Sequence, residues 1–235
     1  DGKFYGTTAE GGVYGAGTVF AMTADGMLST LYSFAGQPAG AGPSGELAQG
    51  PDGNFYGTTT VGGVSNLGTV FRTTPSGVLT NLHSFDGAGG TTPAGGVTLG
   101  CDGNFYGLTS LGGANGKGTV FKITPAGGFT LLHSFTGTGD GYDPVGRLVC
   151  GTDCNFYGVT QRRKLGPVEL YGTVFKITPS GALTTLHNFG DVVLKDGWYP
   201  HAGLMQSMDG NLYGTTYFDP VSFFGTVFRI APDGN

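Results

Sequence analysis

An all-β fold made of repeated units is predicted by three features of the sequence. One phrase, FYGTT or a close variant, recurs at intervals of about fifty residues and begins at Phe4, Phe55, Phe105, Phe156 and Leu212. The surrounding segments are rich in Phe, Tyr, Val and Thr and are separated by Asp-Gly, Gly-Gly and Pro-Ser-Gly, which is typical of short strands and tight turns. No segment has a sustained helical period. The unbroken period indicates a single domain over residues 1–235.

Each unit reads as four strands, which we name A to D in chain order. In the second unit they are predicted at 45–50, 54–59, 68–74 and 79–85. Four short antiparallel strands per repeat of this length is the pattern of a propeller blade, in which no unit can bury its apolar face alone. The sequence therefore predicts a β-propeller of five units, with approximate bounds 1–44, 45–94, 95–145, 146–202 and 203–235.

The first and last units are incomplete. The chain opens at strand B of unit one and stops after strand C of unit five. Because exposed strand edges are rarely tolerated, we expect a piece of a longer array. The alternatives are pairing with a neighbouring molecule and terminal blades that simply have fewer strands. Self-association through these end units is therefore one predicted partner interaction.

The composition excludes several functions. Only 11% of the residues are charged and the formal net charge is -5, which does not suit a nucleic-acid surface. No apolar run approaches the roughly 18 residues that a membrane span requires. The sequence has no GxSxG elbow, phosphate loop or zinc signature, so we expect no cofactor, no bound metal and no assigned catalytic residue.

Strand direction sorts the connections by face. In an antiparallel unit the tight A–B and C–D turns lie on one side, and the longer B–C and D–A loops lie together on the other. We call this second face the loop rim. Insertions and unusual residues in the B–C and D–A loops should therefore lie together on the loop rim.

The segment DGNFYGTT, followed by GG, GTVFKITPSG and LHSF, resembles the tandem repeat of bacterial choice-of-anchor proteins, often called GloVer-type. The resemblance covers the whole chain, and the DGN-[FL]-Y opening is also similar to NHL-type blades. It implies a propeller-like fold in a secreted or surface-anchored bacterial protein. It brings no established catalytic residues.

Units four and five break the repeat. The B–C loops at 161–172 and 217–225 and the D–A connection at 190–203 depart from the pattern, and residues 137–235 hold 16 of the 27 charged side chains. These loops should meet on adjoining parts of the loop rim, whereas the alternative is drift in terminal units that cap the array. We predict a ligand-binding set of aromatic and polar residues: Arg162, Arg163, Asp196, Trp198, Tyr199, His201, Tyr217 and Phe218.

The predicted function is extracellular or cell-surface binding without catalysis, or a structural surface role, with a glycan or a surface protein as partner. One alternative is a polysaccharide-acting enzyme that uses rim carboxylates, with His201 as an acid/base partner. Its candidate acids are Asp140, Asp143, Asp196 and Asp219. A second alternative is a subunit that assembles into filaments by strand pairing between chains.

The cysteines and histidines raise two further questions. Cys150 and Cys154 bracket a predicted turn and could form a short disulfide, whereas the alternative is three unrelated thiols. His83, His133 and His187 share one place in strand D. The resemblance to NHL-type blades implies that strand D is outermost, which would keep these histidines apart and favours packing over metal binding.

The aspartates of the DGN turns, Asp52, Asp102, Asp153 and Asp209, are interpreted as turn formers. Cys154 stands where the other turns have Gly, which puts the same turn geometry in doubt in unit four.

Overall fold

The structure, a computed structural model, describes residues 1–165, 168–190, 197–218 and 224–235, without the side chains of 163–165 and 168–170. The described residues form strands, turns and loops and contain no helix, which confirms the all-β prediction. A membrane-crossing helix is accordingly not found in this part of the chain. The strands are β1 (Phe4–Thr8), β2 (Thr18–Met22), β3 (Leu28–Ser33), β4 (Ala41–Gln49), β5 (Phe55–Val61), β6 (Thr69–Thr73), β7 (Leu79–Ser84), β8 (Thr91–Leu99), β9 (Phe105–Leu111), β10 (Thr119–Ile123), β11 (Phe129–Ser134), β12 (Tyr142–Cys150), β13 (Phe156–Leu165), β14 (Val168–Leu170), β15 (Thr173–Ile177), β16 (Leu183–Asn188), β17 (Trp198–Pro200), β18 (Met205–Gln206), β19 (Leu212–Phe218) and β20 (Thr226–Ile230).

The strands form successive antiparallel units in the predicted order. Strands B, C and D of unit one are β1, β2 and β3, and the complete second and third units are β4–β7 and β8–β11. Unit four adds β14, which pairs with β13, and in unit five strand A is split into β17 and β18. Strand D lies at the end of the sheet in units one to four, whereas the A strands β4 and β8 meet through a parallel bridge at Glu46 and Gly96. Strand A is therefore innermost and strand D outermost.

Strand A is longer than predicted. In unit two it runs from Ala41 to Gln49 rather than over 45–50. Its register against β5 shifts between Ser44 and Ala48, where Gly45 has φ +78°. The glycine in the middle of the segment indicated a strand start, but it lies at a β-bulge that bends one continuous strand.

Two recurring features of the repeat have identifiable contacts: the pair of threonines on strands B and C, and the DGN turn. Thr59 of β5 and Thr69 of β6 join their buried hydroxyls at 2.9 Å, and the other units repeat this pair. In the DGN turn, Asp52 accepts hydrogen bonds from the Asn54 side chain (2.7 Å) and the Tyr56 hydroxyl (2.8 Å). The aspartates are therefore turn formers that also hold the following tyrosine.

The core lies between neighbouring units rather than within one. The fully buried Tyr56 of unit two stacks on Phe105 of unit three, with ring centroids 3.8 Å apart. Phe85 of unit two likewise meets Phe121 of unit three edge-on at 5.3 Å. Each unit thus buries its apolar face only against the next, as expected for a blade array.

A repeated contact, which we call the seam, joins the end of each B–C loop to the strand A that follows. Thr92, with φ +55°, donates its backbone N–H to the carbonyl of Leu67 (3.0 Å). The adjacent Pro93 packs on Gly68, where a Cβ would lie only 2.5 Å from the proline Cδ. Glycine is required at this place because both the positive φ of +102° and the close approach exclude a side chain.

The tight turn of unit four keeps the geometry of the others and forms an unexpected disulfide. Cys154 has φ +60°, and its N–H donates to Gly151 O (2.9 Å) as Gly53 donates to Gly50 O (3.0 Å). The doubt about this turn is therefore removed. Cys154 pairs with Cys101 of unit three and leaves Cys150 as a free thiol, so the predicted Cys150–Cys154 bridge is wrong. The prediction looked within one turn, whereas the bond crosses between units at a separation of 53 residues.

Candidate functional site

The candidate site on the loop rim lies where unit four meets unit five. Tyr199, at the start of strand A of unit five, donates its backbone N–H to Tyr171 O (3.0 Å). Pro200 packs beside Gly172, where a Cβ would lie 2.7 Å from the proline Cδ. This is the seam again, and it holds the end of the long B–C loop of unit four against β17.

Aromatic rings of units four and five pack together at this seam. Trp198 is nearly parallel to Tyr171, with centroids 4.1 Å apart and an interplanar angle of 11°. It is also stacked with Phe218, its partner across β17 and β19, at 5.9 Å. Tyr199 meets Tyr171 edge-on at 5.4 Å. These ring contacts thus hold unit five against unit four without a ligand.

The same two positions in the preceding seam hold a different contact. There, the Lys117 ammonium lies 4.1 Å from the centroid of the Tyr142 ring. Lys117 precedes the GTVF glycine as Tyr171 does, and Tyr142 begins strand A as Trp198 does. Trp198 is therefore an interface residue between units. Its indole Nε1–H is buried and has no hydrogen-bond partner among the described residues.

A polar cluster also joins residues of units four and five. The carboxyl of Asp143, at the start of β12, interacts electrostatically with the side chains of Arg162 and His201. Burial raises the pKa of Asp143 above its ordinary value, although Arg162 and His201 act in the opposite direction. The side-chain nitrogen of Gln161 is hydrogen-bonded to Nδ1 of His201 and links unit four to unit five. The cluster offers an acid, a cation and an imidazole within one rim segment.

Two tyrosines of unit five present accessible ring surface. Tyr217 is 70% exposed, and its ring centroid lies 6.0 Å from that of His201. Tyr199 is 36% exposed. Their rings, unlike the stacked ring of Trp198, remain open to a flat apolar partner.

The structure brings together the part of the predicted set that it describes. Six of the predicted side chains fall into two interacting groups. Trp198, Tyr199 and Phe218 are linked directly or through Tyr171. Arg162, His201 and Tyr217 are linked directly or through Asp143. The side chain of Arg163 and the whole of Asp196 lie outside the described residues. Ligand binding by these residues stays a prediction.

Sequence reasoning missed two members of the site. Tyr171 was not singled out, although units one to three have Ala16, Leu67 and Lys117 at that position. The aromatic Tyr171 at this position, together with the only tryptophan of the sequence, Trp198, in the connection that follows, could have indicated the contact. Gln161 gave no signal, because its partner His201 lies 40 residues away in the next unit.

Of the acids considered for an enzyme, Asp140 has a structural role. Its carboxylate accepts hydrogen bonds from the backbone N–H groups of Thr136 (2.9 Å) and Gly137 (3.2 Å) and lies 3.0 Å from Nε2 of His133. Asp196 and Asp219 lie outside the described residues. Asp143 is thus the one acid of this group that is both described and not consumed by loop hydrogen bonds.

The strand D histidines pack in separate units. His83 stacks on Phe129 of unit three, with centroids 3.9 Å apart, and His187 meets Phe189 edge-on at 4.9 Å. Among the residues that the structure describes, no group of three or more His, Cys, Asp or Glu side chains is placed to hold a metal ion.

The inner strands surround a small cavity of about 310 Å³ that is lined mainly by glycine. Glu46 of β4 and Arg147 of β12 form an ion pair across it, with nitrogen and oxygen 3.0 Å apart. The exposure of both side chains limits the strength of this pair.

Comparison with known sequences identifies the repeat. The pattern of the family described as the Gloeobacter/Verrucomicrobia repeat matches residues 1–166. No curated protein is similar enough in sequence to count as a relative.

Comparison with solved structures identifies the fold. The chain is similar to virginiamycin B lyase from Staphylococcus aureus, with 18% identity, a TM-score of 0.62 and alignment over 97% of this chain and 71% of the lyase. A gluconolactonase from Xanthomonas campestris aligns with 16% identity, a TM-score of 0.55, and 98% and 74% coverage. A GH74 enzyme from Niastella koreensis has 16% identity and a TM-score of 0.65, over all of this chain and 36% of that enzyme. At these identities the similarity shows the fold alone, and it confirms the β-propeller prediction.

Proposed function

The chain belongs to the Gloeobacter/Verrucomicrobia repeat family, and we propose that it is an extracellular binding protein that holds a carbohydrate on the loop rim of units four and five. The observation that carries the proposal is the convergence of an exposed Tyr217 with His201, Arg162 and Asp143 at one seam. An aromatic face beside hydrogen-bonding groups suits a sugar ring, which is apolar on its C–H face and polar around its edge.

Each group has a distinct task in this proposal. Tyr217 and Tyr199 supply ring surface for stacking, and Arg162 donates hydrogen bonds to hydroxyl or carboxylate oxygens. Asp143 accepts hydrogen bonds when ionised and donates one when protonated, and its raised pKa extends the protonated form to higher pH. Trp198 and Phe218 support the site from within the seam. Roles for Arg163 and Asp196 stay predictions.

The disulfide supports an extracellular location. A bond between Cys101 and Cys154 persists in an oxidising compartment, whereas cytosolic proteins are usually kept reduced. A cell-surface protein is the other partner to be tested on the same rim. Self-association through β1 and β20 also stays a prediction.

A glycan array followed by calorimetric titration of the best ligand tests the proposal. Tyr217→Ala should weaken binding roughly 5- to 30-fold, as expected for loss of about 1–2 kcal/mol of aromatic contact. Tyr14→Ala is the matched control, because Tyr14 is a 66% exposed aromatic residue in the B–C loop of unit one. Equal affinities for the Tyr217→Ala variant and the unaltered protein would contradict ligand binding at this part of the loop rim.

The raised pKa of Asp143 favours a second candidate, an enzyme that acts on polysaccharide. A carboxyl that stays protonated beyond its usual range can serve as a general acid. The solved structures described above are named as a lyase, a gluconolactonase and a GH74 enzyme, so the fold accommodates catalysis. An activity screen with Asp143→Asn separates the candidates. Turnover that disappears while binding persists favours the enzyme, and saturable binding without turnover favours the binding protein.

A further inference from the structure

Three sulfur atoms lie together on the face opposite the loop rim. Cys101, in the tight turn of unit three, is bonded to Cys154 in the corresponding turn of unit four, with Cα atoms 5.8 Å apart. Cys150, the last residue of β12, places its Sγ 3.9 Å from Sγ of Cys101. A free thiol is therefore in contact with one sulfur of a disulfide that clamps two units.

The surroundings distinguish the three cysteines. Cys101 is exposed, whereas Cys150 and Cys154 are half-buried. Cys154 has φ +60° at a place where the other described turns of this type have glycine, a conformation that costs an ordinary residue about 1–2 kcal/mol. The bond to Cys101 thus fastens a residue whose backbone conformation is unfavourable.

We propose that Cys101, Cys150 and Cys154 form a thiol–disulfide exchange site. Cys150 loses its proton to solvent, and its thiolate attacks Sγ of Cys101. A Cys150–Cys101 bond forms, the Cys101–Cys154 bond breaks, and Cys154 leaves as a thiolate that takes up a proton. One disulfide and one thiol are present before and after, so no oxidant or reductant is needed.

The exchange keeps units three and four covalently joined and moves the free thiol from the end of β12 to the turn at Cys154. That turn is then released from the bond that holds it. Burial raises the pKa of the Cys150 thiol, the charges of Asp153 and Asp102 raise it further, and a backbone hydrogen bond from Cys101 partly opposes them. Because the thiolate is the nucleophile, exchange is slow at neutral pH and accelerates about tenfold per pH unit below that pKa.

Peptide mapping tests the proposal because the three cysteines fall in different products of cleavage before aspartate. Cys101 is in 86–101, Cys150 in 143–152 and Cys154 in 153–190. The oxidised protein is held at pH 7 or pH 9 without reductant, quenched with acid, and labelled with N-ethylmaleimide under denaturing conditions before digestion. We expect label on 143–152 at first and a growing share on 153–190 at pH 9, at a rate that does not change on dilution.

Two variants make the result decisive. Cys150→Ser should give no label on either remaining cysteine at any time. Cys154→Ser should close a Cys101–Cys150 disulfide during mild air oxidation, which the 3.9 Å separation allows. Label confined to 143–152 at both pH values, together with two free thiols in Cys154→Ser, would overturn the proposal. Label on 153–190 whose rate rises with protein concentration would also overturn it, because the exchange would then occur between molecules.

Discussion

Replacing Gly68 by alanine should destabilise the protein far more than an otherwise similar replacement of Gly53. Gly68 has φ +102°, and an added Cβ would lie 2.5 Å from the Cδ of Pro93 and 2.5 Å from the carbonyl oxygen of Thr59. The positive φ costs about 1–2 kcal/mol, and overpacking against the proline ring and backbone costs about 1–3 kcal/mol. The expected loss in the free energy of unfolding is therefore about 2–5 kcal/mol.

Gly53→Ala is the matched control. Gly53 has φ +76°, and a Cβ there would meet nothing within 4 Å, so only the backbone cost of about 1–2 kcal/mol applies. Urea unfolding followed by circular dichroism gives both free energies, and similar m-values show that the same transition is compared. Equal losses for the two variants would refute the argument that Gly68 is required for the close approach of Pro93 from the next unit.

The remaining predictions concern the turns and the core. Burial alone would raise the pKa of Asp102, but hydrogen bonds from Asn104 and Tyr106 outweigh it, and the folded-state pKa lies below its ordinary value. Since such a group stabilises the fold above its unfolded pKa and loses this contribution as pH falls through its folded pKa, the melting temperature should drop below about pH 4. Asp102→Asn should melt lower at pH 6 and show a shallower acid dependence, and an unchanged acid slope would contradict the assignment. Phe121→Ala should cost about 3–5 kcal/mol in urea unfolding, because this fully buried ring contacts both Phe85 and Phe129. A loss below about 1 kcal/mol would show that the core does not lie between units.

The fold could be predicted well from the sequence because the same strand and turn motifs recur in each unit. Strand order, tight turns and the gathering of long loops on one face follow from period and antiparallel direction, and the DGN turns follow from residue chemistry. The bulged strand A was missed because Gly45 reads as a strand boundary, although it lies inside β4. Such a bulge depends on pairing with β5, which no single segment encodes.

The candidate site was predicted less completely because its contacts cross between units. The approach of the His201 and Tyr217 rings follows from topology, but the stack of Trp198 on Tyr171 depends on the seam geometry. For the same reason the disulfide partner of Cys154 is Cys101, 53 residues away, rather than the nearby Cys150. Comparing the repeats position by position shows where the side chains at such contacts differ in size. It does not show which faces of the aromatic rings remain accessible.

A double-mutant cycle on Tyr171 and Trp198 tests most directly whether the seam joins the two parts of the site. Each alanine variant and the double variant are compared by urea unfolding. We expect Trp198→Ala alone to cost about 1–3 kcal/mol, since its ring is half-buried and stacked, and the pair to show a coupling of about 0.5–1.5 kcal/mol. Additive losses, with no coupling between Tyr171 and Trp198, would contradict the arrangement of units four and five from which the proposed binding surface is built.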